Sequence, residues 1–318
     1  MKAAVVEKPN HLVIKEISDP VCSDEQVLIA IRTASICNGT DLHIIQGVHP
    51  PRSPYPCVLG HEGAGEVIEV GKKVKGFVPG DRVAIRERGN GCFAEMIASF
   101  PDNIILIPDW LDFELASLLE MLSAVYDAAA QAVKLGDNVV IVGQGATGLM
   151  MTQVVKVAGA NRILVSEPVD FKRQLALSLS ADTAINPETC SLIEAVQEFT
   201  NGKGADVVIE TAGVSETLKI LPQLIRQNGT IAQFGIYCGP ASFRFDWLHF
   251  KAGQILATGY SGGYSKESHK HALELVINGQ IKLKPLITHH FQLENLNDAF
   301  CRLAAGDQTI IKAMVDIS

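Results

Sequence analysis

Asn138-Val139-Val140-Ile141-Val142-Gly143-Gln144-Gly145-Ala146-Thr147-Gly148 decides the fold. An apolar run of strand length meets a G-x-G-x-x-G turn, and a helical pattern over residues 147–159 follows. Glycines at these positions allow a tight turn and close approach of backbone to an anion. The helix N-terminus then offers unpaired N–H groups to a pyrophosphate. The motif alone is weak, and its bland reading is a glycine-rich turn. Placed between a strand and a helix, it reads as a dinucleotide cradle made by Gly143, Gly145, Ala146, Thr147 and Gly148.

Downstream the pattern alternates. Residues 162–165, 206–210 and 230–234 read as strands, and 171–179 and 215–227 as helices. This alternation predicts a doubly wound parallel sheet. The second strand ends at Glu167, 19 residues after Gly148. A carboxylate at about that distance accepts hydrogen bonds from ribose hydroxyls and repels a 2′-phosphate, so NAD is expected over NADP. Lys172 and Arg173 follow, either as cofactor contacts or as a charged helix face.

Upstream, residues 27–31, 65–70 and 81–85 read as short strands bounded by Gly, Pro and Asp, and residues 113–133 as helices. After Gly259, Gly262 and Gly263 come a helix near 271–278 and a strand within 309–315. The reading is an α/β protein: a mainly β domain over 1–122 and 258–318, with a Rossmann domain over 123–257 inserted in it.

The β-rich part carries a second constellation. His61 and Glu62 stand among glycines in Gly60-His61-Glu62-Gly63-Ala64-Gly65, with Cys37 upstream and Glu120 downstream. Each has a bland reading alone: a buried thiol, a core histidine, a solvated carboxylate. Together they are zinc-competent donors. Separations of 24 and 59 residues suit a catalytic site gathered from separate loops, not a zinc finger.

These motifs resemble the medium-chain dehydrogenase/reductase family in its zinc-dependent alcohol, sorbitol and threonine dehydrogenase branch. The resemblance rests on Gly60-His61-Glu62 with Gly65, Gly71 and Val74 in step, on Gly80-Asp81-Arg82-Val83, on Phe93-Ala94-Glu95, on the cradle and on Leu286-Ile287-Thr288-His289. It spans essentially the whole chain. It implies a GroES-like catalytic domain around the Rossmann domain. It further implies zinc ligands at Cys37, His61 and Glu120, with Glu62 beside the metal and able to enter its shell, and Asp41 orienting the ligand histidine. A proton relay of Thr40 and His43 is implied as well.

The chain departs from the family in two places. One extra residue separates Cys37 from the Gly-Thr-Asp string. The lobe that carries four cysteines for a structural zinc is missing, so one catalytic zinc and no structural zinc are expected, and Cys92 is expected to hold no metal. The implied activity is hydride transfer between an alcohol or polyol, including sugar alcohols and amino alcohols, and NAD. Rival readings are a zinc-independent quinone or alkene reductase of the same fold, which lacks the ligand set, and a non-catalytic nucleotide-binding protein.

The bulk properties agree. A net charge of −8 gives nucleic acid no basic face. The lysines at 72, 73 and 75 read as a solvated turn. The apolar runs are too short for a membrane span or an export signal. Seven scattered cysteines without C-x-x-C spacing point to reduced thiols in a cytoplasm. A homodimer or homotetramer acting on a small molecule is expected.

Overall fold

A computed structural model describes residues 1–48, 54–86, 91–258 and 265–317. The chain forms two compact units: Met1–Met121 with Ser265–Leu273 and Leu283–Ser318, and Leu122–Tyr264 with Glu274–Lys282.

The first unit begins with β1 (Lys2–Lys8), β2 (His11–Glu16), β3 (Val27–Ser35), β4 (Cys57–Val58), β5 (Glu62–Val70), β6 (Arg82–Arg86), β7 (Met96–Ser99) and β8 (Ile104–Leu106). The second holds β9 (Asn138–Val142), β10 (Arg162–Ser166), β11 (Thr183–Ile185), β12 (Ala205–Glu210), β13 (Ile225–Gln233) and β14 (Gln254–Ala257). The chain returns to the first unit for β15 (Ile287–Gln292) and β16 (Lys312–Asp316).

In the first unit β2, β1 and β4 form a small antiparallel sheet. A larger sheet runs β15-β16-β3-β5-β6-β8, with β7 also paired to β3. All its pairs are antiparallel except β15 with β16. Its inner face buries Ile29, Ile31, Val67, Val83 and Ile85 against Phe93 and Phe300. Fully burying one such aliphatic side chain is worth about 1.5–3 kcal/mol. Arg32 points to solvent at mid-strand, as alternation requires, yet Thr33, Ala34 and Ser35 are all buried. At this end of β3 both edges are paired, with β16 on one side and β5 on the other.

The second unit is a six-stranded, wholly parallel sheet in the order β11-β10-β9-β12-β13-β14. Helices Ala146–Val157, Asp170–Ser178 and Leu192–Phe199 follow β9, β10 and β11. Val139 to Val142 are buried on both faces, which is why that stretch is apolar throughout instead of alternating. The strand order reverses between β9 and β12, the place where doubly wound sheets bind ligands beyond their carboxyl ends.

The helix expected over 215–227 is two short ones, Ser215–Leu218 and Leu221–Leu224. Pro222 cannot donate a backbone N–H inside a continuous helix and instead sits in the first turn of the second. Ile225, fully buried, is extended and opens β13, so residues 225–227 belong to the sheet. The C-terminal helix of the sequence reading, near 271–278, starts earlier, at Lys266. The glycine-rich turn at 259–263 lies outside the described residues.

Candidate metal centre and dinucleotide cradle

The pairing of β3 with β5 sets Ser35 opposite Glu62. Cys37 lies just past the end of β3 and His61 just before β5, so both ligand types are delivered to one end of one strand pair. Cys37, His61 and Glu62 each present a donor atom, all within 4.8 Å of one another. His61 and Glu62 are buried, at 4% and 0% exposure, and Cys37 is half-buried.

Asp41 organises the two ligands beside it. It sits in the helix Thr40–Gln46, fully buried. Its Oδ2 accepts the Cys37 backbone N–H at 2.9 Å, and its Oδ1 lies 3.3 Å from His61 Nδ1. The other ring nitrogen, Nε2, is then turned towards Glu62, 4.0 Å from Oε1. A carboxylate behind one imidazole nitrogen fixes the ring and leaves the other for a metal. The extra residue after Cys37 is absorbed without loss of this geometry: Asp41 N still donates to Cys37 O, and Asn38 Nδ2 is tied to Ile311 O at 3.2 Å.

Glu62 is held from behind. Its Oε2 accepts the Lys312 ammonium at 2.6 Å and a short hydrogen bond from Ser35 Oγ, while Lys312 Nζ also donates to Ile36 O at 2.8 Å. Lys312 is fully buried. Both residues escape a motif reading. The available signal is a lysine inside the apolar run of residues 310–315, where a buried ammonium must have an acidic partner.

The group fits a metal cation. Glu62 Oε1, on the side that His61 Nε2 faces, is buried without a hydrogen-bond partner among the described residues. An unsatisfied buried carboxylate oxygen is costly unless something else satisfies it. Burial opposes a charged imidazole, but Asp41 and Cys37 outweigh it and hold the His61 pKa well above its ordinary value. That is a field that favours positive charge at this spot, which a divalent ion supplies without a proton.

Glu120 is not in the group. It is buried in the first turn of Leu119–Ala132, and the three donors that lie within 4.8 Å of one another are those of Cys37, His61 and Glu62. Thr40 and His43 are half-buried and three residues apart on the Thr40–Gln46 helix, hence on one face of it. Cys92 is fully buried against Gly63 and lies outside the metal group.

The second unit forms the cradle as the motif requires. Gly143 has φ +93°, and a Cβ there would lie 2.9 Å from Ala212 N. A Cβ on Gly148 would lie 2.1 Å from Gly143 O, so the helix packs on the turn only with glycine. Gly145 faces open space, leaving its backbone approachable from outside the protein. Ala146 opens the helix and Thr147 follows it. Gln144 does not face that space: its side chain is fully buried, bonded to Gly143 O and Thr152 Oγ1.

Glu167 directly follows β10 beside this turn, its Oε2 accepting Gln144 N at 2.7 Å and its Oε1 accepting Val169 N at 3.0 Å. Arg173 is pinned by Glu167 O, Pro168 O and Asp170. Lys172 is buried at 6% exposure, its ammonium 5.9 Å from the Phe171 ring.

A dinucleotide cradle on a parallel sheet and a Cys-His-Glu metal group on a β domain define a metal-dependent nicotinamide dehydrogenase. Residues 146–278 match the zinc-binding dehydrogenase model and residues 23–109 the alcohol dehydrogenase GroES-like domain. L-threonine 3-dehydrogenase of Pyrococcus abyssi is 32% identical, over 96% of each chain. Among solved structures, a protein from Sinorhizobium meliloti described as a zinc-binding dehydrogenase and bound to NADP superposes with a TM-score of 0.89. It is 26% identical, covering 99% of this chain and 98% of that one. 2R,3R-butanediol dehydrogenase from Bacillus subtilis gives 0.88 at 25% identity, over 100% and 99%.

The chain belongs to the zinc-dependent alcohol dehydrogenase family of the medium-chain type. It is an oxidoreductase that transfers a hydride between an alcohol or polyol and a nicotinamide dinucleotide.

Glu62→Gln is expected to purify with less than a fifth of the wild-type zinc, and Glu120→Gln with most of it. The reverse pattern, read by metal analysis after exhaustive dialysis, reassigns the third ligand to Glu120. Lys312→Met leaves a buried carboxylate without its partner and is expected to cost about 3–5 kcal/mol, seen as a drop in the midpoint of thermal unfolding.

Proposed function

We propose that the substrate is a small polyol, sugar alcohol or amino alcohol, oxidised to the ketone or aldehyde, and that NAD is used in preference to NADP. The observation that carries the reading is the group of Cys37, His61 and Glu62, a set of three donors that would suit a catalytic zinc. The named substrates of the two relatives above, L-threonine and 2R,3R-butanediol, each pair a hydroxyl with a second polar group and favour the polar end of the alcohol range.

Zinc at this group supplies a Lewis acid that makes a substrate hydroxyl more acidic, and the dinucleotide supplies the hydride acceptor. The chain's own residues do the rest. Asp41 fixes the His61 ring so that Nε2 faces the site. Lys312 and Ser35 hold one oxygen of Glu62 so that the other faces it. Thr40 takes the departing hydroxyl proton and passes it to His43, one helical turn away.

In the second unit the Glu167 carboxylate accepts the adenosine ribose hydroxyls and repels a 2′-phosphate. Arg173, engaged with three oxygens of its own loop and helix, offers no spare cation to such a phosphate. Lys172 supports the same end of the cofactor.

We further propose a homo-oligomer in a reducing cytoplasm. All seven cysteines are free thiols. No helix among the described residues is long and apolar enough to cross a membrane. Strand β14 pairs only with β13 among the described residues, and Phe245, Trp247, Phe250 and Ile255 are exposed on it and on the helix preceding it. An open strand edge beside exposed aromatics is a surface that a second copy covers. Sedimentation at micromolar concentration is expected to give a dimer or tetramer; a monomer overturns this part.

A spectrophotometric screen of NADH formation is expected to find turnover on diols, sugar alcohols or amino alcohols ahead of simple monohydric alcohols. Activity confined to quinone or alkene reduction contradicts the reading. Thr40→Val is expected to lower kcat about 10²-fold or more with zinc retained; an unchanged rate removes Thr40 from the relay. Glu167→Ala is expected to raise the KM for NAD at least tenfold and to narrow the preference over NADP. If the ratio of the two cofactors does not move, Glu167 is not the selecting group.

A further inference from the structure

Glu210 ends β12 at the point where the strand order reverses, and it is fully buried. Neither the metal group nor the G-x-G-x-x-G turn uses it. Its Oε1 accepts Ala212 N at 2.9 Å, Gly213 N at 3.0 Å and Thr217 Oγ1 at 3.2 Å; Oε2 lies 3.2 Å from Gly213 N. The Tyr237 hydroxyl stands beside the group, 3.4 Å from Thr217 Oγ1. Its backbone oxygen accepts Phe234 N and Gly235 N, each at 2.9 Å.

One residue thus ties together the loop after β12 and the loop after β13. The space around it has no slack. A Cβ on Gly235 would lie 2.4 Å from Glu210 Oε2, and a Cβ on Gly213 would lie 2.9 Å from Ile236 O. Burial raises the Glu210 pKa, and its donors only partly offset that; burial and the adjacent carboxylate likewise raise that of Tyr237.

The loop after β12 in turn braces the cradle. Thr211 Oγ1 donates to Val142 O at 2.9 Å and lies 3.0 Å from Gly143 O, while Thr211 N donates to Val142 O at 2.9 Å. Ala212 N stands where a Cβ of Gly143 would be. A shift of Ala212 or Gly213 therefore moves the first glycine of the turn.

We propose that Glu210 is a positioning residue for the dinucleotide: its carboxylate fixes the loop after β12, which braces the cradle at the switch point, and so presets the turn for the cofactor. It touches no reacting atom. The role rests on the assignment of the Gly143–Gly148 turn as the dinucleotide site. Its energetic logic is preorganisation. Loops already held in the bound conformation lose less freedom on binding, so loosening them weakens affinity without removing a contact.

The test is NADH binding to the purified enzyme, followed by the change in nicotinamide fluorescence. Glu210→Gln keeps the shape but replaces an acceptor oxygen facing Gly213 N with a donor. It is expected to raise the NADH dissociation constant about tenfold or more, and the KM for NAD in parallel. Zinc per chain should be unchanged, and kcat at saturating NAD should move less than threefold. Should Glu210→Gln fail to fold, Thr217→Val combined with Tyr237→Phe removes two side-chain hydroxyls and leaves the backbone donors, with a rise of at least threefold expected. A dissociation constant within twofold of wild type in a folded variant overturns the proposal while leaving the cradle assignment standing. Wild-type protein that binds no dinucleotide overturns both.

Discussion

The register of β3 between β16 and β5 is the constraint on which the metal group depends. Met314 faces Ser35 across one side of β3, and Glu62 faces Ser35 across the other. Three segments far apart in the sequence therefore end at one place: Ile36 and Cys37, His61 and Glu62, and Lys312. A slip of one residue in either pairing would turn Glu62 or Lys312 to the opposite face of the sheet and break the Lys312–Glu62 contact. The heavy burial at the end of β3 is what holds the register, since Ala34, Ser35, Ala313 and Met314 are all fully buried. The site is thus built on paired strands, and Asp41 adds the second fixed point from the short helix that follows Cys37.

The other unit solves a different problem with the same economy. A parallel sheet leaves its carboxyl ends free, and the glycine turn after β9 brings backbone N–H groups to that edge. Gly143 and Gly148 are required by contacts inside the protein, whereas Gly145 is not: a side chain there would meet nothing within 4 Å. Its smallness has no use in the packing and serves an approach from outside. The carboxylates just after β10 and at the end of β12, Glu167 and Glu210, behave differently. Glu167 takes two backbone donors beside the turn, while Glu210 is consumed by loop donors.

Much of this is legible in the sequence because it rests on local rules. The apolar run at 139–142, the glycine turn and the strand at 206–210 carry period and turn chemistry within a dozen residues. The short strand Thr183–Ile185 and the helix Leu192–Phe199 go unread, being brief and framed by polar residues. Ser191, whose Oγ accepts Glu194 N, is the capping signal that marks the helix start. The expected helix over 215–227 runs too far because its leucines carry a helical pattern across Pro222, where the backbone breaks. The roles of Lys312 and Ser35 depend on contacts between residues up to 276 apart, which no spacing rule encodes.

The most direct test of the account is X-ray absorption at the zinc edge of the purified enzyme, with zinc per chain counted on the same sample. One zinc per chain with a single sulfur neighbour near 2.3 Å and the remaining neighbours nitrogen or oxygen near 2.0–2.2 Å is the expected result, with the sulfur neighbour lost in Cys37→Ser. A zinc surrounded by several sulfurs, or active protein without zinc, contradicts it.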